Sequence, residues 1–366
     1  MTFTKTTTLI FALTTILSIQ ALQFNSTGYF TIVQFTDLHY GGTATEQAET
    51  QELQKKILEW VKPDLAVVSG DAASIPEGGG KVGAGWYKKQ WDLWTKPFAD
   101  ANVPYAYTLG NHDDEGDLNR RQIVQLDQTN PLSLRSQSEG IPDTANFRLP
   151  VYASQNNSQL AAHLWILDSG SYGCAGIDVG YGCIESNVVE WYNDESQKVK
   201  DQHGTNIHHL AYFHIPLPEW VYLINYDPIY GTSEEDVYCP AINTGFFGAA
   251  KENGDISAMF VGHDHNNDYG GWFDGIELAY GRKSGYQLYG DRHGARVVVL
   301  KENYDSDGKL YVTREHYIVD ASGSIEYPSP AKRQQGVTQK QCKSGDSLFS
   351  QIQKIMAIVI VLLCLL

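Results

Sequence analysis

Positive charge is scarce in this chain: 27 Lys and Arg stand against 43 Asp and Glu, a net charge of −16. No Lys/Arg cluster interrupts that acidity, which argues against a protein that grips nucleic-acid phosphate backbones, since those present a basic patch. No apolar run reaches the ~20 residues that a membrane-spanning helix needs. Neither an internal repeat nor a Pro/Ser-rich linker divides the chain, so one body is expected, of about 26–327. Cysteine is sparse too, with five residues, of which Cys364 lies in the last apolar run. The remaining four are an even number, which in a secreted chain suggests two disulfides. Cys174 with Cys183 would close a tight Gly-rich loop and leave Cys239 for Cys342, although the sequence leaves the pairing open.

What the chain has in quantity is apolar and aromatic side chain, 42% and 12% of residues, ample for a large core and too much for a disordered chain. Both termini read as processing signals. Met1 to Ala21 carry Lys5, an apolar stretch from Leu9 to Leu17 and a cleavage point near Ser18-Ile19-Gln20-Ala21, the pattern of a secretory signal peptide. At the other end an exposed stalk is expected over 328–345, then over 346–366 a spacer and the apolar run Met356 to Leu366, the order of a GPI-type attachment signal. The triplets Asn25-Ser26-Thr27 and Asn156-Asn157-Ser158 are compatible with glycosylation. The expected location is therefore the secretory pathway, ending at the cell surface, outside the cell or in a lysosome or vacuole. Any membrane contact would run through the lipid anchor, and the oligomeric state is not readable.

Leu53, Ile57, Trp60 and Val61 share one helical face, as do Tyr87, Trp91, Trp94 and Phe98. Asn187 with Glu190 reads as a helix start, and the runs after Gly270 read as hairpins of a second sheet. Between the helices, five short apolar runs each end in Asp, Asn or His: Asp37-Leu38-His39, Gly70-Asp71, Gly110-Asn111-His112-Asp113, His214 and Gly262-His263-Asp264-His265. Each run suits a buried strand, and in open α/β sheets ligands collect beyond the strands' carboxyl ends. Mixed His, Asp and Asn donors without Cys suit iron, zinc or manganese. Two such cations roughly 3.5–4 Å apart can clamp the attacking and leaving oxygens of a phosphoryl transfer. Such a pair needs a shared anion, and Asp71 after Gly70 is the candidate. His163, His203, His208, His209, His293 and His316 read as core groups, and Asp168 as a turn cap for Ser169-Gly170. Arg282, Lys283 and Arg292 follow the last motif closely enough to reach a phosphate, but read first as solvated loop charges. Tyr222 to Tyr238 reads as either a substrate-side loop or a partner surface.

These five motifs, in this order, resemble the calcineurin-like metallophosphoesterase superfamily over roughly Thr31 to Arg296. Phe213-His214-Ile215-Pro216-Leu217-Pro218-Glu219 and Gly262 to Asp268 are most similar to the short purple-acid-phosphatase-like members. The resemblance implies an α/β fold, a four-layer αββα sandwich of two mixed β-sheets flanked by helices. It also implies that Asp37, His39, Asp71 and His265 hold one metal, and Asp71, Asn111, His214 and His263 the other. His112 would stabilise the transition state or protonate the leaving oxygen, with Asp113 fixing its tautomer and raising its pKa. Ser74 stands where purple members carry a Tyr, so no purple band is implied. The implied activity is hydrolysis of phosphomonoesters by in-line attack of a metal-bound hydroxide, in the manner of an acid phosphatase. A phosphodiesterase on nucleotides or phospholipid headgroups, or a non-catalytic surface binding protein, are the alternatives.

Overall fold

The computed structural model describes residues 21–329, apart from 138, 143 and 206, together with 339 and 341–343. The leader expected over Met1 to Ala21, except Ala21 itself, and the C-terminal attachment signal lie outside these residues. Among the described residues no helix is long and apolar enough to cross a membrane.

Two large mixed sheets form the centre. One is six-stranded and runs in the order Ile325–Glu326, Leu310–Asp320, Gly294–Tyr304, Tyr29–Phe35, Leu65–Ser69, Tyr105–Thr108. Its last three strands pair in parallel, and the rest antiparallel. The other is eight-stranded, with Ile256–Val261 at its middle, paired in parallel with both His208–Tyr212 and Ile276–Tyr280. Strand alternation explains the layering, because successive side chains leave a strand on opposite faces. Phe30 and Ile32 enter the apolar layer between the sheets, where they meet Leu164, Ile166, Tyr212 and Phe260. Their neighbours Val33 and Phe35 point outward, to the helices Ala44–Val61 and Trp86–Ala101. The helices Ser186–His203, Glu219–Tyr226 and Phe246–Asn253 cover the eight-stranded sheet with Tyr192, Trp220 and Phe246. The result is the four-layer αββα sandwich.

Sequence expectations fail where an element ends or where its partner is remote. Tyr87, Trp91, Trp94 and Phe98 are buried as their spacing predicts, but Trp60 is 45% exposed. It lies in the last turn of its helix, against the turn at Gly323 and beyond the sheet. The helix expected to start at Asn187 begins at Ser186, with Glu185 as its N-cap residue and no side-chain cap. The hairpins after Gly270 build no sheet of their own. Gly270–Phe273 with Ile276–Tyr280 joins the eight-stranded sheet, while Gly294–Tyr304 pairs directly with Tyr29–Phe35.

Two disulfides form, Cys174–Cys183 and Cys239–Cys342. The second ties down part of the segment read as an exposed stalk. Gln339 is buried and exchanges hydrogen bonds with both backbone groups of Val237, and Lys343 pairs with Tyr238. Packing also begins before Ser26, since Phe24 is buried and Gln23 bridges to Tyr152.

The Ala44–Val61 helix starts on a complete capping box. Thr43 Oγ1 accepts from the Glu46 amide while the Glu46 carboxylate accepts from the Thr43 amide, satisfying donors the first turn leaves open. Thr43→Ala is expected to cost about 1 kcal/mol and Thr43→Ser little, read as a lower urea midpoint for the first variant alone.

Candidate metal centre

All five motifs lie just past the carboxyl ends of strands, three on the six-stranded sheet and two on the other. The turns that carry them are unusual in backbone. Asp37, His39, Asp71 and His263 all sit at positive φ, between 49° and 81°. That region costs a non-glycine residue about 1–3 kcal/mol unless its surroundings impose it, although Asp and His enter it more readily than most. Gly70 and Gly262 permit the close approach of the two sheets' loops. A Cβ on Gly70 would overlap the His214 ring, and one on Gly262 would overlap Thr36 and the Asp37 carboxylate.

The side chains converge into two buried groups, Asp37 with His39 and His265, and Asp71 with His214 and His263. Within each group the potential ligand atoms lie within 4.8 Å of one another. His265 Nε2 is 3.0 Å from His39 Nε2 and 3.5 Å from Asp37 Oδ1. Asp71 Oδ2 is 3.0 Å from His214 Nε2 and 3.9 Å from His39 Nε2, so one carboxylate borders both groups. Its other oxygen accepts from the His112 amide at 2.8 Å.

Neighbouring carbonyls set two of the rings. His214 Nδ1 faces Ser69 O at 2.9 Å and His265 Nδ1 faces Tyr289 O at 2.9 Å. A carbonyl can only accept, so each Nδ1 carries the hydrogen and each Nε2 lone pair is left for the cluster. Asn111 Oδ1 and His263 Nε2 are buried without a hydrogen-bond partner. Unpaired buried donors and acceptors are costly. Imidazole lone pairs gathered around two carboxylates therefore fit two metal cations.

Electrostatics agree with that fit. Without a metal the imidazoles can be protonated at Nε2 as well, and then, although burial pushes the Asp37 carboxyl up, the hydrogen bond from His265 and the charges of His214 and His265 outweigh it and hold the group far below the usual range. For Asp71 burial is likewise outweighed, by the charges of His214 and His112. Both carboxylates thus stay ionised although each is almost fully buried. His112 is opposed by burial and raised, chiefly by Asp71 and then by Glu115, to about 9.

One assignment needs correction. Asp113 does not touch the His112 ring. Its carboxylate accepts the amides of Asp71 at 2.9 Å, Gly110 at 2.7 Å and Ala73 at 3.0 Å, and so stitches the second motif to the third. The ring's partner is Glu115, whose Oε1 is 2.8 Å from His112 Nδ1. The short helical turn Asp113–Glu115 puts residue i+3 beside His112, a spacing that could have revealed it. Arg120 was also missed: it pairs with Asp168 and Asp114 and donates to Gly110 O at 2.7 Å. Asp168 does cap the Gly170 amide, at 2.9 Å.

Of the three cations expected in solvent, two are buried and the third, Arg292, is half-buried and paired. Arg282 is buried between Asp268 and Glu326, Lys283 is buried against Gly285 O and Gln287 O, and Arg292 binds Asp268 and Thr232. They brace the loop that supplies Tyr289 O to His265. Ser74 is buried and accepts from Gln287 Nε2 at 3.2 Å. Of the core histidines, His209 lies against Asp255 and Trp165, and His316 against Glu277 and Arg296.

A cavity of 430 Å³ opens on His112, His263 and His265, with Glu235 and Tyr238 on its wall, so the end of the Tyr-rich segment faces the site. A larger cavity of 550 Å³, beside Glu49, Lys56 and Tyr286, holds none of these groups.

Comparison with known proteins agrees with this geometry. The chain is 29% identical over 328 residues to a "Probable inactive purple acid phosphatase 29" of Arabidopsis thaliana, covering 79% of this chain and 81% of that protein. It is 30% identical over 315 residues to "Probable inactive purple acid phosphatase 14" of the same plant, covering 77% of each. With "Phosphatase DCR2" of Saccharomyces cerevisiae it shares 28% identity over 281 residues, 68% of this chain and 46% of that one. The profile of the calcineurin-like phosphoesterases matches residues 30–267, and those residues carry all five motifs. The chain belongs to the calcineurin-like phosphoesterase family.

Proposed function

We propose that this protein is a secreted or surface-anchored phosphomonoesterase with a dinuclear metal site. One observation carries the proposal: Asp71 borders two buried donor groups with one oxygen and fixes the His112 amide with the other. The metal ligands are Asp37, His39, Asp71 and His265 on one side and Asp71, Asn111, His214 and His263 on the other. Cations bound there would neutralise the ester's charge and activate a water molecule. The chain's own groups do the rest. Gly70 and Gly262 let the two sheets' loops close, and Asp113 holds the Asp71 and Asn111 turns in register. His112, aligned by Glu115, stands at the cavity wall, where a protonated ring can stabilise the phosphoryl oxygens or protonate the leaving oxygen. Two disulfides support an oxidising compartment.

The word "inactive" in two relatives' names favours a second reading, a binding protein on the same fold. Against it stands the convergence of the Asp37, His39 and His265 group and the Asp71, His214 and His263 group, with His112 on the cavity beside them. An assay of the protein loaded with manganese, zinc or iron, on an aryl phosphomonoester and an aryl phosphodiester, separates the readings. Monoester turnover, lost in Asp71→Asn, is the expected result. Preferential diester turnover would move the protein to the phosphodiesterases, and metal binding without turnover of either ester would favour the binding protein.

Further outcomes follow from the geometry. His112→Ala is expected to lower kcat about 10²–10⁴-fold, the usual worth of a general acid, and Glu115→Gln about tenfold or more by freeing the ring. Asp113→Asn should leave the kcat pH profile unshifted and weaken metal retention, measured by metal content after dialysis, because its carboxylate acts on backbone rather than on His112. Chelation should lower Tm by about 5–10 °C, since a tightly held ligand stabilises only the folded chain. Calorimetry before and after adding the metal back checks this.

A further inference from the structure

The cavity over the ligand cluster has a second wall that hydrolysis itself does not require. Tyr181, Glu235, Tyr238 and Tyr289 form it, and among its described lining residues there is no lysine or arginine. Tyr181 is presented by the hairpin of Tyr172–Cys174 and Ile177–Tyr181, closed by the Cys174–Cys183 disulfide. Tyr238 is presented by the segment that the Cys239–Cys342 disulfide holds. Tyr181 thus lies within a disulfide-closed loop, and Tyr238 directly precedes an anchored half-cystine.

Their faces are arranged for a particular chemistry. Tyr181 stacks on Tyr172, at 5.7 Å and 23°, and Tyr289 stacks on His265, at 4.2 Å and 21°. Each therefore has one face already covered, and no parallel pair is left to sandwich a planar base. Tyr181 and Tyr238 instead meet at 87°, with centroids 6.3 Å apart, and Tyr181 also meets the His263 ring at 86° and 4.4 Å, so this aromatic wall adjoins the ligand cluster directly. The Glu235 carboxylate lines the same cavity. It accepts from the Asn266 amide and from Tyr289 Oη, and it has no lysine or arginine partner among the described residues. Ring faces are negative by their quadrupole and the carboxylate by its charge, so this wall of the cavity attracts a cation. The chain's net charge of −16 adds to the attraction.

We propose that the cavity selects phosphomonoesters of amino alcohols. The phosphoryl group would lie at the ligand cluster and an alkylammonium group, primary or quaternary, against Tyr181, Tyr238 and Glu235. This rests on the phosphatase reading above and narrows it to a substrate class. The cavity's 430 Å³ suits a small ester of this kind. Selectivity comes from placing an anion site and a cation site beside one another in one cavity, so a neutral alcohol of the same shape loses one of the two.

The test is a binding measurement on the full chain loaded with manganese, using hydrolysis-resistant phosphonates. 3-(Trimethylammonio)propylphosphonate and its neutral carbon isostere, 4,4-dimethylpentylphosphonate, are compared by calorimetric titration. The cationic compound is expected to bind about tenfold more tightly, the scale of a partly desolvated cation on aromatic faces beside a carboxylate. Glu235→Gln and Tyr238→Leu should each cut that ratio at least by half, with thermal unfolding confirming that both variants are folded. Equal affinities in the wild-type protein, or an unchanged ratio in both variants, overturn the proposal. Aryl phosphate hydrolysis is followed in parallel. If the binding ratio holds while no ester is turned over, the cavity's selectivity stands and the phosphatase reading falls. If turnover holds without the ratio, the reverse is true.

Discussion

Two ionised carboxylates buried side by side are the constraint on which the site depends. Asp37 and Asp71 are each about 1% exposed, and removing such charges from water is costly unless other charges or metals compensate them. Backbone amides supply part of that compensation, and the imidazole lone pairs are placed to hold metal cations that would supply the rest. His214 and His265 give their Nδ1 hydrogens to carbonyls and turn their Nε2 atoms to the carboxylates. The His263 amide reaches the Asp37 oxygens at 3.2 Å, and the His112 amide reaches Asp71. A cluster so built fits metal cations, because they would satisfy the carboxylates and the remaining lone pairs together.

Holding that cluster is the task of the layers beneath it. Strand ends of both sheets must come together, and the apolar layer between them brings Ile32, Val67, Tyr212 and Phe260 into one contact region. Gln34 adds a polar tie at the same depth, donating to Ser69 Oγ at 2.8 Å and to Val261 O at 3.0 Å, and so links the strands that lead to Asp71 and His263. The left-handed turns at Asp37, His39, Asp71 and His263 are strain that this packing imposes. Asp113 and Arg120 then fasten the loops laterally, the first through three amides and the second through Gly110 O. Roles that looked catalytic or solvated from the sequence are structural here, since a buried carboxylate or guanidinium is used where backbone groups need a partner.

Legibility in the sequence followed range. The five strand-end motifs could be read because a strand of alternating or continuous apolar residues and the polar residue ending it are neighbours along the chain. The aromatic face of Trp86–Ala101 was readable for the same reason. Partnerships across the fold were not. Lys283 and Arg282 looked like loop charges because Asp268, Glu326 and the Gly285 and Gln287 carbonyls that bury them are assembled only by the sheet. Glu115 lay within reach of a local rule, three residues past His112, yet adjacent Asp113 drew the assignment. The hairpins after Gly270 read correctly as hairpins, but joining existing sheets was a matter of long-range pairing, with Val33 opposite Val297 and Ala279 opposite Phe260.

The sequence by itself determined the kinds of ligand atom, their order along the chain and the strands that end in them, while the layered fold was implied only by the resemblance of those motifs to a known family. The first three follow from local periodicity and from donor chemistry, which need no knowledge of distant contacts. Only the tertiary structure decided which further side chains face one another: that Glu115 rather than Asp113 contacts His112, that Asp113 binds the amides of Asp71, Ala73 and Gly110, and that Tyr181, Tyr238 and Glu235 line the cavity. The physical reason is that the ties of Asp113 to Asp71 and Ala73, and the cavity wall, join loops from different strands, whose separation is set by the packing of two sheets on a shared apolar layer and not by spacing along the chain.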